Sequence, residues 1–288
     1  MAKDSHSPVA RATRASHSPA SLSLASRFSA WLLILGMLIA SPDAVAAQDS
    51  AIQSARNSIT AAETREIVDF LASDTLEGRA IGTRGGRAAA NYIVKMLTDL
   101  KVAPGGEEKT WFQSFQGNAR NILGVVRGSD PELSKEYILV GAHYDHVGYG
   151  NDRNSNGPVG YIHNGADDNA SGVAALLEVV EAVQSLPVPP KRSIIFAFWD
   201  GEEDGLLGSI HWCNNPTVPL ASLKLAFNMD MVGRLRNRKL EVYGSRTAVG
   251  LRQLVSGWNV DSLNLDFTWE MKADSDHHSF YAKRIPVM

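Results

Sequence analysis

An α/β fold with a parallel sheet covered on both faces is what this sequence predicts, and three observations predict it. Glu136–Gly141 and Arg192–Phe198 are continuous apolar runs, the pattern of strands buried on both sides. Runs of helical period, Arg87–Leu100 and Val173–Leu186, alternate with them. The strand-like runs are followed at once by His143 and Asp145, by Glu202 and Glu203, and by Asp230, and open α/β sheets bind ligands beyond the carboxyl ends of their strands.

The elements follow in order. Ser58–Leu71 reads as a helix, with Thr60 and Glu63 spaced as a capping box and Ile67, Val68, Phe70 and Leu71 as its apolar side. Gly82, Gly85 and Gly86 lack the Gly-Lys-Ser/Thr of a phosphate loop and read as a surface turn before the helix Arg87–Leu100. Lys109–Phe115, Asn121–Val126 and Glu136–Gly141 are expected strands. Val147–Asn164 reads as a loop; Asp152, Asn154, Asn156 and Gly157 begin like a calcium loop, but His163 stands where that motif needs Glu. Ser171 is the expected N-cap of the helix that buries Val173, Leu176, Leu177 and Val180. After the prolines at 187, 189 and 190 come a strand at Arg192–Phe198, a helix at Leu206–Trp212, strands at Leu223–Asn228 and Lys239–Tyr243, and a helix at Thr247–Trp258.

The chain has 288 residues, 44% hydrophobic and 20% charged, enough for one large domain or two small ones. A single cysteine, Cys213, excludes an internal disulfide framework and a multi-thiolate zinc site. Arg11, Arg14 and Arg27 precede an apolar stretch, Phe28–Ala40, and the small residues Ala44-Val45-Ala46-Ala47. Residues 1–47 therefore read as a cleaved secretory leader, too short in its apolar part for a membrane span, and the protein is expected to be secreted or periplasmic. Removing them takes away Lys3, Arg11, Arg14, Arg27, Asp4 and Asp43 and leaves 24 basic against 29 acidic residues, a formal charge of −5. With no basic stripe, nucleic acid is not an expected partner.

Any one of these strand-end acids could be a solvated surface charge, and the pair Asp167–Asp168 could be dipole decoration at a helix start. Together with two His-containing clusters they point to metal chemistry. One imidazole and several carboxylates per ion, without thiolates, suit zinc, and a shared carboxylate makes a two-metal site possible. A Gly-x-Ser-x-Gly elbow and a His-Glu-x-x-His helix are both missing.

The segments Gly141-Ala142-His143-Tyr144-Asp145-His146, Gly165–Gly172, Gly201-Glu202-Glu203, Asn228-Met229-Asp230 and Ser275-Asp276-His277 stand in the order and spacing of one family. From about Ile67 to the last residue the chain resembles the secreted co-catalytic di-zinc aminopeptidases, distantly related to glutamate carboxypeptidase and the transferrin receptor ectodomain. The resemblance implies a three-layer α/β/α fold with a mostly parallel mixed central sheet, of the zinc-peptidase (phosphorylase/hydrolase-like) type. It implies a single peptidase domain over residues 48–288 with no inserted second domain.

It further implies two zinc ions bridged by Asp167, one completed by His143 and Asp230 and the other by Glu203 and His277. Asp145 resembles the carboxylate that orients His143, Glu202 the general base, and Asp168 a support for the turn, after a cis peptide between Asp167 and Asp168. His146 and His278 then line or pack the site, His163 faces the cleft, His211 packs in its helix, and Asp200 and Asp204 are solvated or bonded locally. The implied reaction is hydrolysis at the free N-terminus of a peptide or protein by a water between the metals, with Glu202 moving the proton. A carboxypeptidase, a glutaminyl cyclase and a catalytically silent binding module are the alternatives. Because the chain stops at Ile285-Pro286-Val287-Met288, where the family continues with a strand, a loop and a helix, it is expected to be C-terminally truncated.

Overall fold

A computed structural model describes residues 42–155, 157–259 and 263–288, with residues 42–48 by backbone alone. Residues 1–41 of the expected leader lie outside the described residues. The chain divides after Asp49, and apart from residues 42–49 of its first helix the fold described below belongs to the unit Ser50–Met288. Among the described residues no helix is long and apolar enough to cross a membrane.

Helices α1 (Pro42–Ser58), α2 (Ala61–Leu71) and α3 (Arg84–Asp99) lead into strands β1 (Ala103–Pro104), β2 (Phe112–Ser114), β3 (Arg120–Val126) and β4 (Tyr137–His143). Then follow α4 (Gly172–Gln184), β5 (Ser193–Trp199), α5 (Leu207–Asn214), β6 (Leu223–Asn228), β7 (Lys239–Val242), α6 (Leu251–Trp258), β8 (Asn264–Phe267) and α7 (His277–Ala282). The main sheet has the order β1-β3-β5-β4-β6, with β2 also paired to β3. Its centre is parallel, β4 lying between β5 and β6, whereas β3 runs antiparallel to β5. Strands β7 and β8 form a separate parallel pair, and β8 was not an expected strand.

Alternation in β5 explains the three layers. Phe196 and Phe198 join one core with α2, α3 and α4 through Ile67, Leu71, Ile93, Leu97, Val173 and Leu177. Ile195, Ala197 and Trp199 join the other with Trp212 and Cys213 of α5 and Phe280 of α7. Both faces of the strand are thus apolar, and each such buried side chain contributes roughly 1.5–3 kcal/mol. The chain steps from β4 to β5 in one direction and from β5 across β4 to β6 in the other. Right-handed crossovers then require α4 and α5 on opposite faces, which is where the two cores place them. Reversal of direction at β4 makes its carboxyl end a topological switch point, where open α/β sheets bind ligands.

Local chemistry sets several boundaries. Thr60 Oγ1 accepts the Glu63 N–H at 3.1 Å, half of a capping box. The other half is replaced, because the Thr60 N–H goes to Glu178 Oε2 at 3.0 Å and ties α2 to α4. The expected surface turn at Gly82–Gly86 is partly buried instead. Helix α3 starts at Arg84, capped by Thr83 Oγ1 on the Gly86 N–H at 3.2 Å. A Cβ on Gly85 would lie 1.8 Å from the Leu76 carbonyl, so that helix start packs against the Asp74–Arg79 turn as only glycine can. Residues 286–288 lie strand-like beside β6: the Ala226 N–H donates to the Pro286 carbonyl at 2.9 Å and the Met288 N–H to the Ala226 carbonyl at 3.0 Å.

Candidate metal centre

Parallel pairing brings the strand ends to one level. His143, the last residue of β4, pairs with Trp199, the last of β5, and Gly141 pairs with Asn228, the last of β6. The residues after those ends, Asp145 and His146, Glu202 and Glu203, and Asp230, therefore enter one space, together with the loop before α4.

They form two adjoining groups. In the first, His143, Glu202 and Asp230 offer ligand atoms within 4.8 Å of one another. His143 Nε2 lies 3.4 Å from Asp230 Oδ1 and 4.0 Å from Glu202 Oε2. In the second, His146, Asp168 and Glu203 do the same, with His146 Nδ1 2.5 Å from Glu203 Oε1. Asp168 spans both: Oδ1 is 3.3 Å from His143 Nε2 and Oδ2 is 3.9 Å from His146 Nδ1.

Asp145 is buried behind the first group. Its Oδ1 stands 3.5 Å from His143 Nδ1 and accepts the Glu202 N–H at 3.1 Å, and its Oδ2 accepts the Glu203 N–H at 3.3 Å. Burial opposes charge on His143, but hydrogen bonds to Asp145, Asp168 and Asp230 outweigh it and raise its pKa well above the usual value. Burial likewise opposes charge on Asp168, and His143, His146 and Arg79 overcome it, lowering its pKa. Burial pushes Glu202 up to about 9, with Asp276, Asp145 and Asp230 adding to it against the pull of His143.

The donor set fits a borderline divalent cation. Two imidazoles and four carboxylates converge without a thiolate, the ligand types zinc accepts. Carboxylates outnumber the imidazoles, so the site is short of positive charge, which a dication would supply.

The model for peptidase family M28 matches residues 121–288. The chain belongs to peptidase family M28. A relative in Pyrenophora tritici-repentis, described as a probable zinc metalloprotease, is 32% identical over 204 residues, 65% of this chain and 43% of its own length. The LapA aminopeptidase of Legionella pneumophila superposes with a TM-score of 0.63 at 19% identity, covering 83% of this chain and 63% of LapA. A glutaminyl cyclase of Porphyromonas gingivalis superposes with a TM-score of 0.62 at 23% identity, covering 80% of this chain and 82% of the cyclase. At those identities the likeness is one of fold, a mixed α/β sheet shared by all three. The chain spans less than half the length of the curated relatives it matches.

Within this M28 chain the two acids of the loop divide the other way from the expected one. Asp168 points at both groups, whereas Asp167 is spent on its own surroundings. Asp167 Oδ1 accepts the Gly233 N–H at 2.9 Å, its carbonyl accepts the Ser171 hydroxyl at 2.6 Å, and Oδ2 lies 3.4 Å from Arg234 Nε. The cis peptide is Asp168–Asn169 and not Asp167–Asp168. Ser171 holds the expected N-cap position but makes no capping bond, because its backbone is already helical and its hydroxyl turns back to Asp167. Asn169 caps instead, its Oδ1 accepting the Gly172 N–H at 2.9 Å.

Asn169 also does something the sequence reading missed. Its Nδ2 donates to the Met229 carbonyl at 2.9 Å and its Oδ1 accepts the Met231 N–H at 3.3 Å, so it brackets Asp230 from both sides. An Asn three residues before an apolar helix was the available signal. His146, expected as a lining residue, joins the second group. His277 stands in neither; it is buried, its ring is 5.4 Å from that of Tyr243, and burial lowers its pKa. Among the described residues His277 Nε2 has no hydrogen-bond partner, Asp274 Oδ1 being 3.8 Å away.

His163 does not face the cleft but closes its own loop, Nε2 lying 3.0 Å from Ser155 Oγ. Of the two places expected for Asp200, solvated or hydrogen-bonded, it takes the second: it is buried, its Oδ2 accepts the Arg120 N–H at 3.0 Å, and burial pushes its pKa to about 7. His211 stacks on Phe115 at 5.2 Å. Asp204 is exposed.

Proposed function

We propose that this chain is a zinc-dependent aminopeptidase that hydrolyses the N-terminal bond of peptides or proteins. The observation that carries the proposal is the span of Asp168 between the His143–Glu202–Asp230 and His146–Asp168–Glu203 groups. Two zinc ions are the number these groups favour, with Asp168 as the shared carboxylate in place of Asp167. His143 and Asp230 would hold one ion and Glu203 the other, with His146 or the buried His277, whose Nε2 has no hydrogen-bond partner among the described residues, completing it. Bound zinc polarises a carbonyl and acidifies water.

The protein's own groups then have defined tasks. Glu202 takes a proton at its carboxylate from the attacking water and returns it to the leaving amine. Its raised pKa returns toward the range of a general base once a dication sits among these carboxylates. Asp145 holds the ring of His143 and the backbone of Glu202 and Glu203, so that base and ligands keep their spacing.

The test is elemental analysis of the purified protein combined with assays on aminoacyl-nitroanilides, their N-acetylated forms, N-acetylated peptides with a free C-terminus and N-terminal glutaminyl peptides. The expected result is bound zinc with cleavage of unblocked aminoacyl-nitroanilides alone. Failure to bind zinc, cleavage from the C-terminus, or cyclisation of glutamine overturns it.

Residues 1–47 are proposed as the leader that sends the protein to the periplasm or out of the cell. N-terminal sequencing of the protein recovered from the periplasm or medium should begin near Gln48; a start within the first 40 residues argues against it.

A further inference from the structure

Arg79 is 1% exposed, an unusual place for a guanidinium. Four hydrogen bonds go to main-chain carbonyls on three separate segments. Nε donates to Tyr144 at 3.0 Å, Nη1 to Leu71 at 2.5 Å and to Asn164 at 2.7 Å, and Nη2 to Gly165 at 2.8 Å. Tyr144 stands between His143 and Asp145, and Gly165 opens the turn that carries Asp168. Leu71 is the last residue of α2, so the two segments that carry the ligands are referred to one fixed helix end.

The backbone around Arg79 is shaped for this. Arg79 has φ of 52°, and its carbonyl accepts the His146 N–H at 3.3 Å. A Cβ on the preceding Gly78 would come within 2.5 Å of the carbonyls of both Gly148 and His163, so the turn threads closely between the two ends of the intervening loop. Burial lowers the pKa of Arg79 to about 10, while Asp145, Asp168 and Glu203 favour its charge. It is therefore a cation at neutral pH.

We propose that Arg79 is a positioning residue of the metal centre: its planar fork fixes the His143–His146 segment against the Asn164–Asp168 turn at the spacing that a divalent cation requires. The proposal rests on the zinc reading above. A guanidinium suits the task because it sends five donors in fixed directions, whereas an ammonium has three and an amide two. Carbonyls left without their donor in a buried place will move to find another or take in water.

The test compares wild type, Arg79→Lys and Arg79→Gln as purified full chains. Zinc affinity is measured by chelator competition, Co(II) substitution is followed by its visible d–d spectrum, and the metal-free proteins are melted. Both variants are expected to fold, to bind zinc at least about tenfold more weakly, and to show altered Co(II) spectra, with the lysine variant the less affected. Unchanged affinity and spectrum in a folded variant, or failure of both variants to fold, makes Arg79 a purely structural cation and overturns the proposal. If wild type itself binds no zinc the functional reading falls; if wild type binds and the variants bind equally, only the role of Arg79 falls.

Discussion

Asp145 Oδ1 accepts the backbone N–H of Glu202 at 3.1 Å, so the residues that follow β4 hold those that follow β5. His143 Nδ1 lies 3.2 Å from the Asp145 main-chain carbonyl and 3.5 Å from its Oδ1, which makes one residue the common reference for an imidazole and for the proposed base. Asp145→Asn keeps the shape but turns an amide N–H toward a donor. Zinc affinity in that variant, measured by chelator competition, is expected to drop about 10–100-fold with the circular dichroism unchanged; equal affinity would remove Asp145 from the site's support.

Glu202 touches His143 at 4.0 Å but makes no contribution to the second group. Glu202→Gln is expected to bind zinc as wild type does and to lose about 10²–10⁴ in kcat. Retained turnover would move the base elsewhere.

The division between the two loop acids gives a paired experiment. Asp168→Asn is expected to lose most bound metal on dialysis. Asp167→Asn weakens the hold on Gly233 and Arg234 and is expected to keep its metal, with a lower Tm. Metal loss in Asp167→Asn with retention in Asp168→Asn would restore the opposite assignment.

Cys213 is buried on α5, and burial pushes its thiol up to about 12 from 9.0. It stays protonated in the native chain, so a thiol reagent at pH 8 is expected to label it only on unfolding. Its folded pKa exceeds the unfolded one, so its contribution to stability is complete below pH 9.0 and declines as pH rises toward about 12. Replacement by Ala should therefore reduce the fall in Tm over that window; rapid labelling of folded protein would contradict the burial.

Much of this was legible in the sequence because apolar runs and strand-end charges are local signals. The strands at Asn121–Val126, Glu136–Gly141 and Arg192–Phe198 and the helix after Gly172 lie within two residues of expectation. What could not be read was direction. Asp167 and Asp168 are neighbours with the same side chain, and the bonds that separate them come from Gly233 and His143, 66 and 25 positions away. Arg79 and Asn169 were missed for a related reason: both act through the backbone of distant segments, and a carbonyl leaves no mark on the amino-acid alphabet. Strand β8, Asn264–Phe267, is short and only partly buried, so its alternation was too weak to separate from a loop.

The shared direction of β4, β5 and β6 gives the molecule two unlike ends. Their amino ends are reached through the segments at 129–136, 187–192 and 217–222, which carry prolines, serines and surface ion pairs such as Arg192–Glu136. Strand β4 has seven residues, at about 3.3 Å each, which sets that end roughly 20 Å from His143. A fluorophore, an affinity handle or a fused domain placed at 130–135 would leave the chemistry alone, while a single inserted residue beyond His143, Trp199 or Asn228 would put a ligand out of reach.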